Sequence, residues 1–370
     1  MDVVPVASPK DLDRFIAYAY ERYRNEPHWV PPLQSDEKVR LTPGKNPYFE
    51  HAEAQCFLAL EGARVVGRIA ATIDRNYDSF HGERQGAFGF FEAESGAATA
   101  ALLGAAESWV RSKGAEVMRG PMSFTTNDEC GLLIEGFDHR PPVQMPYNAR
   151  EYAGWIEAAG LRKAKDLFSF RGSISGRSPA AFERLSAVVQ RRDNVRMRPL
   201  DMKRFDEELA RVKEVYNTAW ERNWGFVPMT DGEIDHMAKQ FKPVIIPELV
   251  RFAEVDGRPV GFGLVLPDVN QALAKVGGRL FPLGIFRLLW TLPRIKEGRY
   301  MALGVVREYQ KKGIGALLVH DMVQATHRRG YTACEVGWTL EDNQAINDII
   351  LGYGCVRTAV YRIYEKRLPA

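Results

Sequence analysis

The chain repeats itself, and a repeat of this length leaves few architectures open. An amphipathic stretch from Phe15 to Tyr23 leads to His28-Trp29-Val30-Pro31, and a like stretch from Leu209 to Trp220 leads to Gly225-Phe226-Val227-Pro228. Residues 57–73, FLALEGARVVGRIAATI, match residues 252–268, FAEVDGRPVGFGLVLPD, with an offset of 195 from Gly62 to Gly257. Both are apolar runs broken by Glu-Gly or Asp-Gly, a strong hairpin signal. A helix ending at Gly114 matches one ending at Gly330. Asn148 opens a helix that closes at Gly160-Leu161, and Asn343 opens one that closes at Gly354-Cys355, again 195 apart. The register drifts and returns, as it would if the second half carried an insertion of roughly 20 residues near 270–297 and the first half one near 126–147. Each half reads helix, helix, hairpin, strand, helix, strand, helix, strand.

That order predicts a mixed α/β (α+β) chain of two tandem domains, each a mixed twisted sheet flanked by helices. They are expected over 1–170 and 197–370, with 171–196 as the joint. A chain of 370 residues is in any case long for a single core. Its charge is nearly balanced, 50 Lys+Arg against 47 Asp+Glu, which argues against a protein that coats nucleic acid. Cys56, Cys130, Cys334 and Cys355 are far apart and form no CxxC, so neither a zinc ribbon nor a disulfide framework is expected. The first residues lack a basic region followed by an apolar run, and no apolar stretch is long enough to span a bilayer, so a cytoplasmic location is expected.

Chemistry concentrates at residues 300–318. A strand, Met301 to Val306, runs through a polar turn into Gln310-Lys311-Lys312-Gly313-Ile314-Gly315, and a periodic helix follows from Leu317 to His327. Glycines at a helix mouth let the backbone approach an anion, and the free N–H groups of the first turn then point at it. Lys311 and Lys312 add positive charge. The pattern suits a pyrophosphate, although such glycines also serve close packing alone. Gln310 to Gly315 resembles the Q/R-x-x-G-x-G/A signature of the GNAT acyl-CoA N-acyltransferase superfamily. Thr339 to Ile346, running on to Gly354, resembles that family's next motif, in which an Asn opens a helix. The resemblance covers the second half and, through the duplication, extends to the first.

The resemblance implies acyl-CoA as acyl donor, an amine as acceptor and no metal. The coenzyme would lie in a gap between the parallel strands 301–306 and 332–339. Main-chain groups of Val305 and Val306 would pair with the pantetheine arm, and Asn343 would sit near it. Gln310 would head the loop, and N–H groups of Lys311, Lys312, Gly313, Ile314, Gly315 and Ala316 would hold the pyrophosphate. In the first half, Gln310 and Gly313 fall on Glu94 and Ala97, and Glu92 and Glu94 would repel a phosphate. That domain is expected to keep the fold without the coenzyme.

Acyl transfer needs a neutral amine and a proton for the departing thiolate. The family's proton-donating tyrosine, seven residues after the Asn, falls on Ile350, so Tyr353 is the nearest substitute; a core ring at the helix end is the other reading. Glu335, inside an apolar strand beside the gap, is a base with a raised pKa or the partner of an arginine. Asn127, Asp128 and Glu129 form a dense polar cluster in Thr126-Asn127-Asp128-Glu129-Cys130-Gly131, either on the acceptor side with Glu129 catalytic or in a solvated loop. Trp220, Asn223 and Trp224 occupy the region where the family holds its acceptor, or staple two helices together. His320 and His327 lack a third ligand for a metal, and Cys130 has only His139 as a prospective base.

Residues 279–295 are largely apolar, with arginines spaced among Phe286, Trp290 and several leucines. This is the composition of an interfacial segment or of a wall around a lipid chain, and equally of a helix added to the core. The expectation is substrate contact through Phe286 and Trp290, and peripheral contact with the inner membrane face through 279–295. Together with Asn223–Pro228 and the 126–131 loop, the insertion resembles a bacterial branch of the family that includes ceramide synthases, which implies transfer of a long acyl chain to a sphingoid base. Two alternatives stand: an N-acetyltransferase for a small amine or amino acid, and a non-catalytic module that senses coenzyme A. No feature of the sequence sets an oligomeric state.

Overall fold

The computed structural model describes residues 1–175 and 178–369; residues 176 and 177, within the expected joint, lie outside the described residues. The strands are β1 (Asp2–Pro5), β2 (Ala52–Glu61), β3 (Arg64–Asp74), β4 (Gln85–Ala93), β5 (Val117–Gly120), β6 (Leu132–Glu135), β7 (Arg162–Ser173), β8 (Arg196–Pro199), β9 (Val250–Val255), β10 (Arg258–Pro267), β11 (Glu297–Val305), β12 (Ala333–Leu340) and β13 (Val356–Arg367). They divide between two compact units. The first takes residues 1–167, 273–288 and 359–370; the second takes 168–272 and 289–358. Chain order and unit membership therefore part company at β7, within the insertion, and at β13.

In the first unit the sheet order is β1-β2-β3-β4-β5, followed by residues 359–367 of β13. β2 and β3 form the expected hairpin, paired from Ala52↔Asp74 to Glu61↔Arg64 with Gly62 at φ 60 in the turn. All nine residues of β4 are buried, so both faces need cover. The helix Gly96–Ser112 supplies one face through Leu102, Leu103, Ala106 and Val110, which pack with Phe88, Phe91 and Tyr152. Phe15, Tyr48, Leu58, Phe90 and Phe124 fill the other.

In the second unit the order is β8-β9-β10-β11-β12, followed by residues 168–173 of β7. The Asp256-Gly257 turn has φ 51 and 79, the mirror-image geometry that matches the twist of a two-residue hairpin. Val260, Phe262, Ile314, Leu317 and Leu318 are all at most 3% exposed, which joins the helix Ile314–Arg328 to the sheet. Truncating such a side chain to Ala costs about 2–5 kcal/mol. A mixed sheet flanked by helices recurs in both units, as the repeat predicts.

Candidate active site

The site is set by an irregularity in β11. Tyr300 pairs with Val265 and Ala302 with Leu264, which leaves Met301 as an extra residue opposite β10. A bulge of this kind bends its strand and sharpens the local twist. On its other edge β11 pairs in parallel with β12 from Glu297↔Ala333 to Tyr300↔Val336, and there the register ends. Both strands continue, to Val305 and Leu340, without each other. Backbone groups along that edge need partners, and an extended ligand arm can supply them as an added strand would.

Beyond the gap the chain closes into a loop. Gln310 folds back, its Nε2 donating to the Val305 carbonyl at 3.0 Å and to the Ala219 carbonyl at 3.4 Å. Lys311 and Gly313 both adopt left-handed backbone, at φ 65 and 86. Gly313 caps the helix Ile314–Arg328 with no side-chain hydrogen bond. The N–H groups of the first turn are therefore left for a ligand. A β-carbon on Gly313 would stand 2.7 Å from Val189 Cγ2, so the helix Ala180–Arg192 presses against the loop at that point. Arg192 Nη2 donates to the Lys312 carbonyl at 2.7 Å and braces it further. A β-carbon on Gly315 would meet nothing within 4 Å. Uncapped amides, exposed Lys311 and Lys312, and open space at Gly315 together fit a pyrophosphate.

Trp220 lines the same strand. Its ring lies 4.8 Å from Tyr216 and 5.7 Å from Phe262, and a β-carbon on Gly304 would stand 2.4 Å from Trp220 Cη2. The chain then turns tightly, with the Asn223 amide donating to the Trp220 carbonyl and the Phe226 amide to the Asn223 carbonyl. Asn223 and Trp224 stay half-exposed while Phe226 and Val227 are buried.

Glu335 is the next-to-last residue of β12 in register with β11, beside Arg299. Ser169 Oγ donates to its Oε1 at 2.7 Å and Thr358 Oγ1 lies 3.4 Å away. Burial raises its pKa above the ordinary carboxylate value, with the Ser169 hydroxyl opposing. Tyr353 ends the helix Gln344–Gly352 and stacks on Phe182 at 4.6 Å; burial pushes its phenol up, so it stays protonated. Asn343 caps that helix, accepting from the Ile346 amide at 3.5 Å. The buried asparagine that ties the helix to the sheet is Asn347, which donates to the Leu340 carbonyl at 3.1 Å and accepts from Thr339 Oγ1 at 2.6 Å. No sequence signal singled it out, because a polar residue one turn into a helix reads as solvent-facing.

The first unit repeats the irregularity and then fills it. Arg68 pairs with Glu92 and Ala70 with Gly89, so Phe90 and Phe91 share one partner, with Phe90 at φ 47. β4 pairs in parallel with β5 only from Gln85↔Val117 to Ala87↔Arg119. Past that point the chain itself occupies the opening: the Met122 amide donates to the Phe88 carbonyl at 2.7 Å, and a β-carbon on Gly89 would fall 1.9 Å from the Met122 oxygen. Phe124 stacks on Tyr48 at 4.6 Å and closes the space. The helix Gly96–Ser112 starts directly after the strand, its end satisfied by Ser95 Oγ, which accepts from the Ala98 amide at 3.2 Å. Glu92 is buried beside Tyr23 and Tyr152, whose hydroxyls donate to it. Asn127, Asp128 and Glu129 belong to this unit; Arg40 holds Asp128 at 3.8 Å and Glu129 at 3.5 Å, so the loop is anchored rather than loose. Phe286 and Trp290 lie on the insertion, 68% and 60% exposed. Among the described residues no group of three His, Cys, Asp or Glu is placed to hold a metal, and no helix is long and apolar enough to cross a membrane.

Comparison with known proteins gives the family and the fold. Residues 209–348 match the acetyltransferase (GNAT) family model. The chain is 39% identical to the bacterial ceramide synthase of Caulobacter vibrioides, over 100% of this chain and 98% of that one. It is 36% identical to protein YghO of Escherichia coli K12, over 97% and 93% respectively. Among solved structures, a tandem GNAT protein from the clavulanic acid biosynthesis pathway superposes with a TM-score of 0.58 at 13% identity, covering 100% of this chain and 99% of that one.

Proposed function

The chain belongs to the GNAT family and is an acyl-CoA N-acyltransferase, and on that premise we propose that the transfer takes place in the second unit, from a long-chain acyl-CoA to the amine of a sphingoid base. The observation that carries the assignment to the second unit is the contrast between the two strand gaps, one open and followed by an anion cradle, the other filled by Met122 and Phe124. The acceptor class is supported by full-length identity to a ceramide synthase.

The loop from Gln310 to Ala316 holds the pyrophosphate, and Val305 and Val306 pair with the pantetheine arm beside Asn343. Trp220, Asn223 and Trp224 form the wall that receives the acceptor. Glu335 takes the proton from the incoming ammonium; its raised pKa suits a base near neutrality. The nitrogen then forms a bond to the thioester carbonyl carbon, the carbon–sulfur bond breaks, and the departing thiolate takes the Tyr353 phenol proton, which the nitrogen's second proton replaces as the amide forms. The first unit keeps the fold without coenzyme. A product this apolar has to leave into a bilayer, which supports membrane contact through 279–295.

The test is to incubate the full chain with mixed acyl-CoA species and a panel of long-chain and short amines, and to identify products by mass spectrometry. A long-chain amide of the long-chain amino alcohol is expected. Amide formed only from acetyl-CoA or only with short amines would overturn the acceptor assignment.

A further inference from the structure

Between Val269 and Lys296 the chain carries Lys275, Arg279, Arg287, Arg294 and Lys296, and no acid. The same stretch concentrates exposed apolar surface. Phe281, Leu283, Phe286, Leu289 and Trp290 are each at least 60% exposed, five of the eleven large apolar side chains that stand out among the described residues. Scattered exposed hydrophobics need no explanation, but a contiguous set marks a contact surface.

The exposure is built. In the helix Gly284–Thr291 the two terminal residues are buried, while Phe286, Leu289 and Trp290 share the outward face at helical spacing. The preceding turn is pinned: the Ile285 amide donates to the Leu280 carbonyl at 2.6 Å, and a β-carbon on Gly284 would fall 2.1 Å from the Arg279 oxygen. Arg287 Nη1 donates to the Lys275 carbonyl at 3.2 Å, and the Arg294 guanidinium sits 4.1 Å over the Trp290 ring. Both arginines are therefore held beside the apolar face, and the nearest acid in sequence, Glu297, is paired with Arg171 at 2.8 Å.

That charge decides what covers the face. A second copy docked by the same face would set five cations against five across a two-fold axis. An apolar strip that carries arginines and no carboxylate of its own instead fits a surface that is apolar below and anionic above. We propose that residues 279–296 dock on an anionic lipid surface, with Phe286, Leu289 and Trp290 in the acyl boundary and Arg287 and Arg294 on headgroup phosphates. This deepens the membrane contact put forward above, yet it stands apart from the acyl-transfer chemistry, because its test contains no substrate.

The full chain is sedimented with vesicles of phosphatidylglycerol and, separately, of phosphatidylcholine. Binding to phosphatidylglycerol, weakened by salt, is expected, with little binding to phosphatidylcholine. Arg287→Glu/Arg294→Glu should weaken it by more than about tenfold, since each lost cation alone is worth about fivefold. Leu283→Ser/Leu289→Ser should also lose binding, and because both side chains are exposed its melting temperature should match the parent's. Equal binding by either variant and the parent, or no binding by the parent, would overturn the proposal. So would self-association in sedimentation velocity that the serine variant abolishes while the parent ignores vesicles, which would identify a second copy as the occupant.

Discussion

At Gly315 an added side chain would enter open space in front of the helix mouth rather than the protein. Gly315→Trp should therefore set its bulk in the cradle and abolish coenzyme A binding in calorimetry; unchanged affinity would refute the cradle. Gly313 is the opposite case. Its left-handed φ of 86 and the nearness of Val189 mean that Gly313→Ala strains the backbone and the packing together, with an expected loss of about 1–3 kcal/mol in denaturant unfolding. Glu335 can be tested by its pH dependence. Burial raises its pKa, and only the carboxylate accepts a proton, so activity should fall as pH drops through a value above the ordinary carboxylate range. Glu335→Gln should lower kcat by about a hundred- to ten-thousand-fold and remove that limb of the profile. If the limb survives, Glu335 only partners Ser169 and Arg299.

The two strand gaps can be separated at the level of elements. Both units carry a bulge on the strand that leaves its parallel neighbour, so the same distortion serves two ends. In the second unit the opening leads to a loop of left-handed residues; in the first it is packed with the chain's own 120–124 segment. Phe124→Ala should cost the first unit about 3–5 kcal/mol, because an aromatic core residue is lost, and should not create a second coenzyme site. Titration of that variant should still saturate at one coenzyme per chain. The hairpins, the strand before the loop and the long helix after it were all legible in the sequence, since turn residues and hydrophobic period declare them locally. The short strands β1, β6 and β8 were not. Four residues carry too little periodicity to stand out, and each exists because a neighbour offers an edge.

For the whole molecule, the last strand belongs with the first half of the chain. Residues 360–367 pair with β6 and β5, with Tyr364 opposite Gly120, and Tyr361, Ile363 and Tyr364 are at most 1% exposed. Ending the chain before Ala359 should therefore destabilise the first unit, and hydrogen exchange should show lost protection at 117–120 and 132–135. Protection that survives would mean that the first unit completes its sheet without the C-terminal strand. The duplication, the mixed α/β class and the placing of a strand, a glycine loop and a helix in succession were determined by the sequence alone, because each is written in a window of a few tens of residues. The tertiary structure alone decided that one gap is filled and the other open, that Asn347 rather than a flanking residue ties helix to sheet, and that the final strand crosses to the first unit. Those outcomes depend on contacts between residues far apart in the chain, where backbone groups take whichever partner the packed sheet brings within reach.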